Sequence, residues 1–191
     1  MKKHPTLILA VVILAVAALL LFTRNNNVKQ AQIRLAPDFE LVDLHGRIIK
    51  LSDYRGHAVV LNFWATSCGG CRVELPWLVN LQKQYRPNGL EILGIAMDEG
   101  IGYGYIEQFA RERGVNYTIV TGKGKDSVAD AYGILGMPSS IYIDPAGQMV
   151  AKTEGLPDNA DEIEKNIKKI LPAAAHATAN ATGIVLLPQR F

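Results

Sequence analysis

The feature that most constrains this chain is the run Ala58 to Trp64 (AVVLNFW), followed four residues later by Cys68-Gly69-Gly70-Cys71. The run is nearly all apolar and rich in β-forming residues, the mark of a strand covered on both faces. Such a strand needs a layer of structure on each side. From Cys68 to Tyr85 the spacing turns helical, with Leu78, Leu81 and Tyr85 on one stripe. Pro76 falls inside that stretch and is expected to bend the helix rather than end it.

The flanking pattern extends this beginning. Asp38 to Leu41 alternates polar and apolar, Asp43 to Gly46 is a turn, and Arg47 to Leu51 returns, so a small hairpin is expected to open the domain. Ser52 to Tyr54 reads as a one-turn helical bend. Further strands are expected at Glu91–Met97, Tyr117–Val120, Ser140–Asp144 and Gln148–Lys152, the last two joined by the turn Pro145-Ala146-Gly147. Helices are expected at Tyr105–Arg113, Ser127–Tyr132 and Asp161–Leu171. Lys168 and Lys169 in the final turn of the last helix suit its dipole. Strands alternating with helices, then a hairpin and a helix, give an α/β class with a mixed central sheet and helices on both faces. About 135 residues are enough to bury a proper core.

Composition narrows the rest. The chain of 191 residues is 49% hydrophobic and 20% charged, which excludes a disordered or a polytopic membrane protein. Lys2, Lys3 and Arg24 are the only charges in residues 1–24, which leaves 17 bases against 18 acids in the remainder. That balance gives no electrostatic case for nucleic acid as a partner. The sixteen apolar residues Leu7 to Phe22, extended by Thr6 and Thr23, would form a helix of about 27 Å, just long enough for a hydrocarbon core of about 30 Å. With the lysines at the short end, residues 1–24 read as a signal anchor that leaves the rest extracytoplasmic. A cleaved signal peptide, cut after Ala15-Val16-Ala17, is the alternative. Both readings place the cysteines where disulfides persist. Residues 25–34 read as a tether, 35–172 as the folded domain and 173–191 as a flexible low-complexity tail.

The chain has two cysteines, and they stand three positions apart. At the mouth of a helix, unpaired N–H groups and the dipole stabilise a thiolate on the first of them. The second lies one turn inside, close enough to resolve a mixed disulfide. Cys68 is therefore expected to be the exposed nucleophile and Cys71 the buried resolving thiol. A purely structural disulfide in so small a ring would contribute only about 2 kcal/mol in the loop-entropy model. A zinc site would need two further ligands, for which only His45 and His57 offer themselves.

The segment Phe63-Trp64-Ala65-Thr66-Ser67-Cys68-Gly69-Gly70-Cys71, with Pro76 five residues on and Gly136-Met137-Pro138-Ser139 downstream, resembles the active site of the thioredoxin superfamily. Ala36-Pro37-Asp38-Phe39, Gly46 and Leu51-Ser52-Asp53-Tyr54-Arg55-Gly56 make the resemblance closest to membrane-anchored thiol-disulfide oxidoreductases of the TlpA and ResA type, over residues 35–171. The anchor and an insert around Asp98 to Phe109 fit the same group. The resemblance implies a thioredoxin-like fold with an N-terminal hairpin extension and an N-terminal transmembrane helix.

It also implies site roles. Glu74 matches a glutamate that ResA-like proteins keep near the active site, and at i+3 from Cys71 it shares that residue's helix face, placed to move its proton. Asn62 stands where thioredoxin has a buried aspartate, so that acid is missing. Met137 and Pro138, the latter in a cis peptide or else a trans turn, are expected to face the substrate, with Trp64 either shielding that substrate-binding surface or packing as plain core. Gly69-Gly70 replaces a Gly-Pro that tunes reduction potential.

The function expected is an exported, membrane-anchored protein-disulfide reductase without a cofactor. It would act on disulfides such as those of apocytochrome c and be recharged by a membrane thiol donor. Three alternatives stand beside it: a disulfide donor, a peroxiredoxin, and a non-catalytic metal-binding or holdase module. A peroxiredoxin places Thr three residues before its reactive Cys, whereas Thr66 is two before Cys68. A metal carrier would have only His57 near the cysteines.

Overall fold

The computed structural model describes residues 13–16, 34–122 and 124–172. The chain separates into two units, Met1–Arg34 and Leu35–Phe191. Of the first, residues 13–16 are helical with exposed side chains. Among the described residues no helix is long and apolar enough to cross a membrane. The expected anchor, apart from that single helical turn, the tether except Arg34, and the tail lie outside the described residues.

In the second unit seven strands form one sheet, β1 (Glu40–Asp43), β2 (Ile48–Lys50), β3 (Ala58–Trp64), β4 (Leu90–Ala96), β5 (Thr118–Thr121), β6 (Ser139–Ile143) and β7 (Met149–Glu154), in the order β2-β1-β5-β4-β3-β6-β7. Strands β3, β4 and β5 run parallel, and β6, β7, β1 and β2 add antiparallel edges. Four helices cover the sheet: α1 (Gly69–Tyr85), α2 (Tyr103–Glu112), α3 (Lys125–Ala131) and α4 (Ala160–Ile170). The expected mixed α/β sheet with flanking helices is thus present. The opening hairpin does more than precede the domain, because β1 also pairs with β5 and lengthens the sheet at that edge.

Strand β3 is buried at every residue, and the two-residue period sorts its side chains to opposite faces. Val59, Leu61 and Phe63 pack with Phe39, Val128, Ala129 and Tyr132 under α3 and the N-terminal segment. Ala58 and Val60 pack with Leu78 and Leu81 of α1 and with Ile163 and Ile167 of α4. Trp64, on the same face as Val60, meets Leu75 of α1 and Ile106, Phe109 and Ala110 of α2. Two apolar layers around a continuous strand explain why its sequence carries no alternation.

Local chemistry ends the elements where the pattern says they should end. In the β1–β2 turn, Asp43 Oδ1 accepts the backbone N–H of His45 at 2.9 Å and of Arg47 at 2.8 Å. Gly147 closes the β6–β7 turn at φ +83° and donates its N–H to Asp144 O at 2.8 Å. Asn159 caps α4 through its side chain, which accepts from Asp161 N at 3.1 Å. Helix α1 runs through Pro76 without interruption. The boundaries of α2 and α3 sit two residues earlier than the apolar pattern places their starts, at Tyr103 and Lys125. Both helices begin after glycines, Gly102 and Gly124, with no side-chain cap to mark them.

Gly94 lies at the centre of β4, opposite Asn62 in β3 and Ile119 in β5. A Cβ there would stand 2.9 Å from Trp64 Nε1 and 3.1 Å from Tyr117 Cε2. Trp64 is fully enclosed and Tyr117 half-buried against it, so at least the indole has no room to yield. Gly94→Ala is expected to lower stability in urea unfolding by about 1–3 kcal/mol; an unchanged midpoint would show that the rings can yield.

Candidate active site

Cys68 ends the loop that leaves β3 and occupies the N-cap of α1, with φ −76° and ψ 115°. It is disulfide-bonded to Cys71 with a Cα–Cα distance of 5.3 Å. Cys68 Sγ accepts the backbone N–H of Cys71 at 3.1 Å, in the way an N-cap side chain takes up an orphan donor of the first turn. A thiolate formed there would keep that donor and the positive end of the helix dipole. Cys68 is half-buried and Cys71 is 1% exposed. The two sulfurs therefore differ in access as the sequence leads one to expect.

Helix α1 carries Glu74 inward as well. Its side chain is 2% exposed, and Oε2 accepts from Asn62 Nδ2 at 2.8 Å. Asn62 Nδ2 also donates to Ser140 Oγ at 3.1 Å. Asn62 Oδ1 has no partner among the described residues. Burial pushes the Glu74 carboxyl up from its ordinary 4.5 to about 7, against the opposing effect of the Asn62 hydrogen bond. A carboxyl of that affinity is half-ionised near neutral pH, which suits it to taking and returning a proton. The aspartate missing at position 62 thus has a counterpart reached from the helix, and Asn62 holds it. The period-two pattern contained that signal: Asn62 shares the face of Trp64 and so must look toward α1.

Met137–Pro138 is a cis peptide, as the resemblance leads one to expect. Pro138 is buried against the couple's helix, and a Cβ on Gly70 would meet Pro138 Cδ at 3.2 Å and Leu156 Cβ at 3.4 Å. Gly70 therefore lets the helix mouth approach the proline closely. Met137 is 41% exposed and Leu135 beside it 90% exposed. Trp64 is not brought to this surface. It is fully enclosed and stacks on Phe109 at 5.7 Å between ring centroids. Of its two expected roles, shielding the substrate-binding surface is corrected to core packing beneath the site, because the two-residue period turns the ring into the α1–α2 layer. A hollow of about 440 Å³ bordered by His45, Arg47, Glu107 and Arg111 includes no residue of the couple among those lining it.

Thr66 is held in a way that the sequence did not announce. Its N–H and hydroxyl both donate to Asp98, which follows β4, and its carbonyl accepts from Arg72 of α1.

The AhpC/TSA family model matches residues 34–152. The chain is 35% identical over 178 residues to the thiol-disulfide oxidoreductase ResA of Geobacillus thermodenitrificans, covering 90% of this chain and all of that one. The chain belongs to the AhpC/TSA family, as a ResA-like thiol-disulfide oxidoreductase. ResA of Bacillus anthracis is 31% identical over the same length. In structure, a Chlorobium tepidum protein described as a putative thiol:disulfide interchange protein DsbE matches with a TM-score of 0.66 and 31% identity, over 73% of this chain and 96% of that one. The fold is thioredoxin-like, and the activity of this ResA-like chain is protein-disulfide oxidoreduction through the Cys68–Cys71 pair.

The raised affinity of Glu74 has a consequence for stability. Below about pH 4 the carboxyl is neutral in both the folded and the unfolded chain. Between 4.5 and about 7 the unfolded chain loses the proton while the folded one keeps it, so stability falls across that window. The full deficit, about 3 kcal/mol, is reached above neutrality. For the oxidised protein, Glu74→Gln is expected to gain that much relative to the wild type between pH 4 and pH 8 in denaturant titrations. A difference independent of pH would show that Glu74 ionises freely.

Proposed function

We propose that the chain is an exported protein-disulfide reductase, held at the cytoplasmic membrane by residues 1–24, with its domain facing the extracytoplasmic space. Its substrates in this reading are disulfides in unfolded or extended segments, such as the paired haem-binding cysteines of an apocytochrome c. A membrane dithiol donor returns it to the reduced state. The observation that carries the reading is the asymmetry of the couple: Cys68 at the helix mouth, and Cys71 enclosed on the same helix as the buried Glu74.

In the reduced enzyme the Cys68 thiolate attacks one sulfur of the target. The new bond forms as the target disulfide breaks, and the departing thiolate takes a proton from solvent. Cys71 then gives its proton to Glu74 and attacks Cys68 Sγ, which expels the second target thiolate. That thiolate takes up the remaining proton. The target has gained two electrons and two protons, and the couple has become the disulfide. Met137 and Pro138 are the groups that an extended target would lie against, through main-chain pairing of the kind sheet edges offer. The N-terminal apolar run and its flanking lysines support the membrane part of the reading. The ResA name carried by the relatives supports the chemistry.

The test is a pair of single-cysteine variants offered a peptide disulfide of the Cys-x-x-Cys-His type. Cys71→Ser is expected to accumulate a mixed disulfide with the peptide, and Cys68→Ser to form none and to lose insulin-disulfide reduction. Full reductase activity in Cys68→Ser would overturn the assignment.

A further inference from the structure

Two residues separate the end of β3 from the nucleophile's neighbour, and the first polar one, Thr66, is gripped at both ends of its backbone. Its N–H donates to Asp98 Oδ1 at 3.0 Å and Oδ2 at 3.2 Å, and its hydroxyl donates to Asp98 Oδ1 at 2.5 Å. From the other side, Arg72 Nε and Nη2 donate to Thr66 O at 3.0 and 2.8 Å. Thr66 is 3% exposed, so neither end of the residue exchanges freely with solvent. An anion thus holds the donors and a cation the acceptor, and charge-assisted bonds of this kind are the stronger sort. The two grips come from different elements, the segment after β4 and the second turn of α1. Cys68 N also bonds back to Ala65 O at 3.1 Å, so the turn from Ala65 to Cys68 is constrained along its length. None of these groups contains a sulfur, so the grip has no part in the redox change itself.

We propose that Asp98 is a positioning residue for Cys68. By fixing Thr66, with Arg72 as the opposing partner, it sets the turn that delivers the Cys68 sulfur onto the Cys71 N–H. Loss of the Asp98 grip lets the turn relax, and a thiolate at Cys68 then loses part of its donor and of the helix dipole. The inference rests on the reading of Cys68 as the nucleophile. An amide in place of the carboxylate would keep the Oδ1 acceptor shared by both Thr66 donors and lose the charge and the longer bond to Oδ2 at 3.2 Å. Asparagine at this position is therefore a partial replacement, and alanine a complete loss of the grip.

The experiment is the rate of iodoacetamide alkylation of Cys68 in the reduced full chain at pH 7, with Cys68→Ser as the reference. Where the thiol pKa lies above the working pH, a rise of one unit lowers the thiolate fraction by up to tenfold, and the greater nucleophilicity of the more basic thiolate recovers about 0.4–0.5 of that change on a logarithmic scale. Asp98→Ala is therefore expected to slow alkylation about threefold for each unit by which the thiol pKa rises, and Asp98→Asn, which keeps the Oδ1 acceptor, to slow it less than Asp98→Ala does. Asp98→Ala reacting as fast as the wild type would overturn the proposal. So would Ala and Asn variants that are both accelerated, since that is the signature of removing a nearby negative charge. If Asp98→Ala does not fold, Thr66→Val, which deletes only the hydroxyl's share of the grip, decides: slowed alkylation supports the proposal and an unchanged rate contradicts it. Wild-type chain that alkylates no faster than Cys68→Ser would instead remove the nucleophile assignment beneath it.

Discussion

The register of β3 against its two neighbours is the constraint on which the site depends. Parallel pairing with β4 aligns Trp64 with Ala96, and antiparallel pairing with β6 aligns Phe63 with Ser139 and Asn62 with Ser140. Pro138 therefore stands at the same end of the sheet as the loop to Cys68, and Asp98 emerges there from β4. A slip of one residue would turn Asn62 and Trp64 to the opposite face and remove Glu74's partner. Seven buried residues on β3, with helices over both faces, keep that slip from being favourable.

On this frame the site combines a half-buried sulfur at the helix mouth with a polar pocket beneath it. Burying Glu74 and Asn62 in the layer between β3 and α1 works against stability, because the carboxyl is desolvated and Asn62 Oδ1 is left unmatched. An apolar pair of similar volume would pack there at lower cost. In the proposed function the polar pair has a chemical use: a resolving thiol enclosed in the core would have no solvent to take its proton, and Glu74 lies one helical turn away with an affinity near neutrality. Stability and the proposed proton transfer thus pull in opposite directions at one residue.

Much of this was legible in the residues. The unbroken apolar run of β3, the helical stripe after it and the Cys-x-x-Cys between them led to the layered sheet and to the unequal cysteines, and each element was located within a few residues. Two kinds of feature were not legible. Trp64 has the composition of a surface platform and of a core residue alike, and only its strand parity, combined with the packing of α2, shows that it is enclosed. The Thr66–Asp98 contact joins residues 32 apart in sequence and depends on where β4 ends, which hydrophobic periodicity fixes only to within a residue or two. The hairpin's pairing with β5 is of the same kind, since β1 has no local signal for partners as distant as Thr121 opposite Val42 and Val120 opposite Asp43.

The measurement that bears most directly on the account is the reduction potential of the Cys68–Cys71 couple, by equilibration of the full chain with defined thiol buffers. A reductase working in an oxidising compartment is expected to have a value close to that of thioredoxin, about −270 mV. A value near −120 mV, that of a strong oxidant, would reverse the direction of electron flow and make the protein a disulfide donor, with the Gly69-Gly70 linker as the first place to look for the cause.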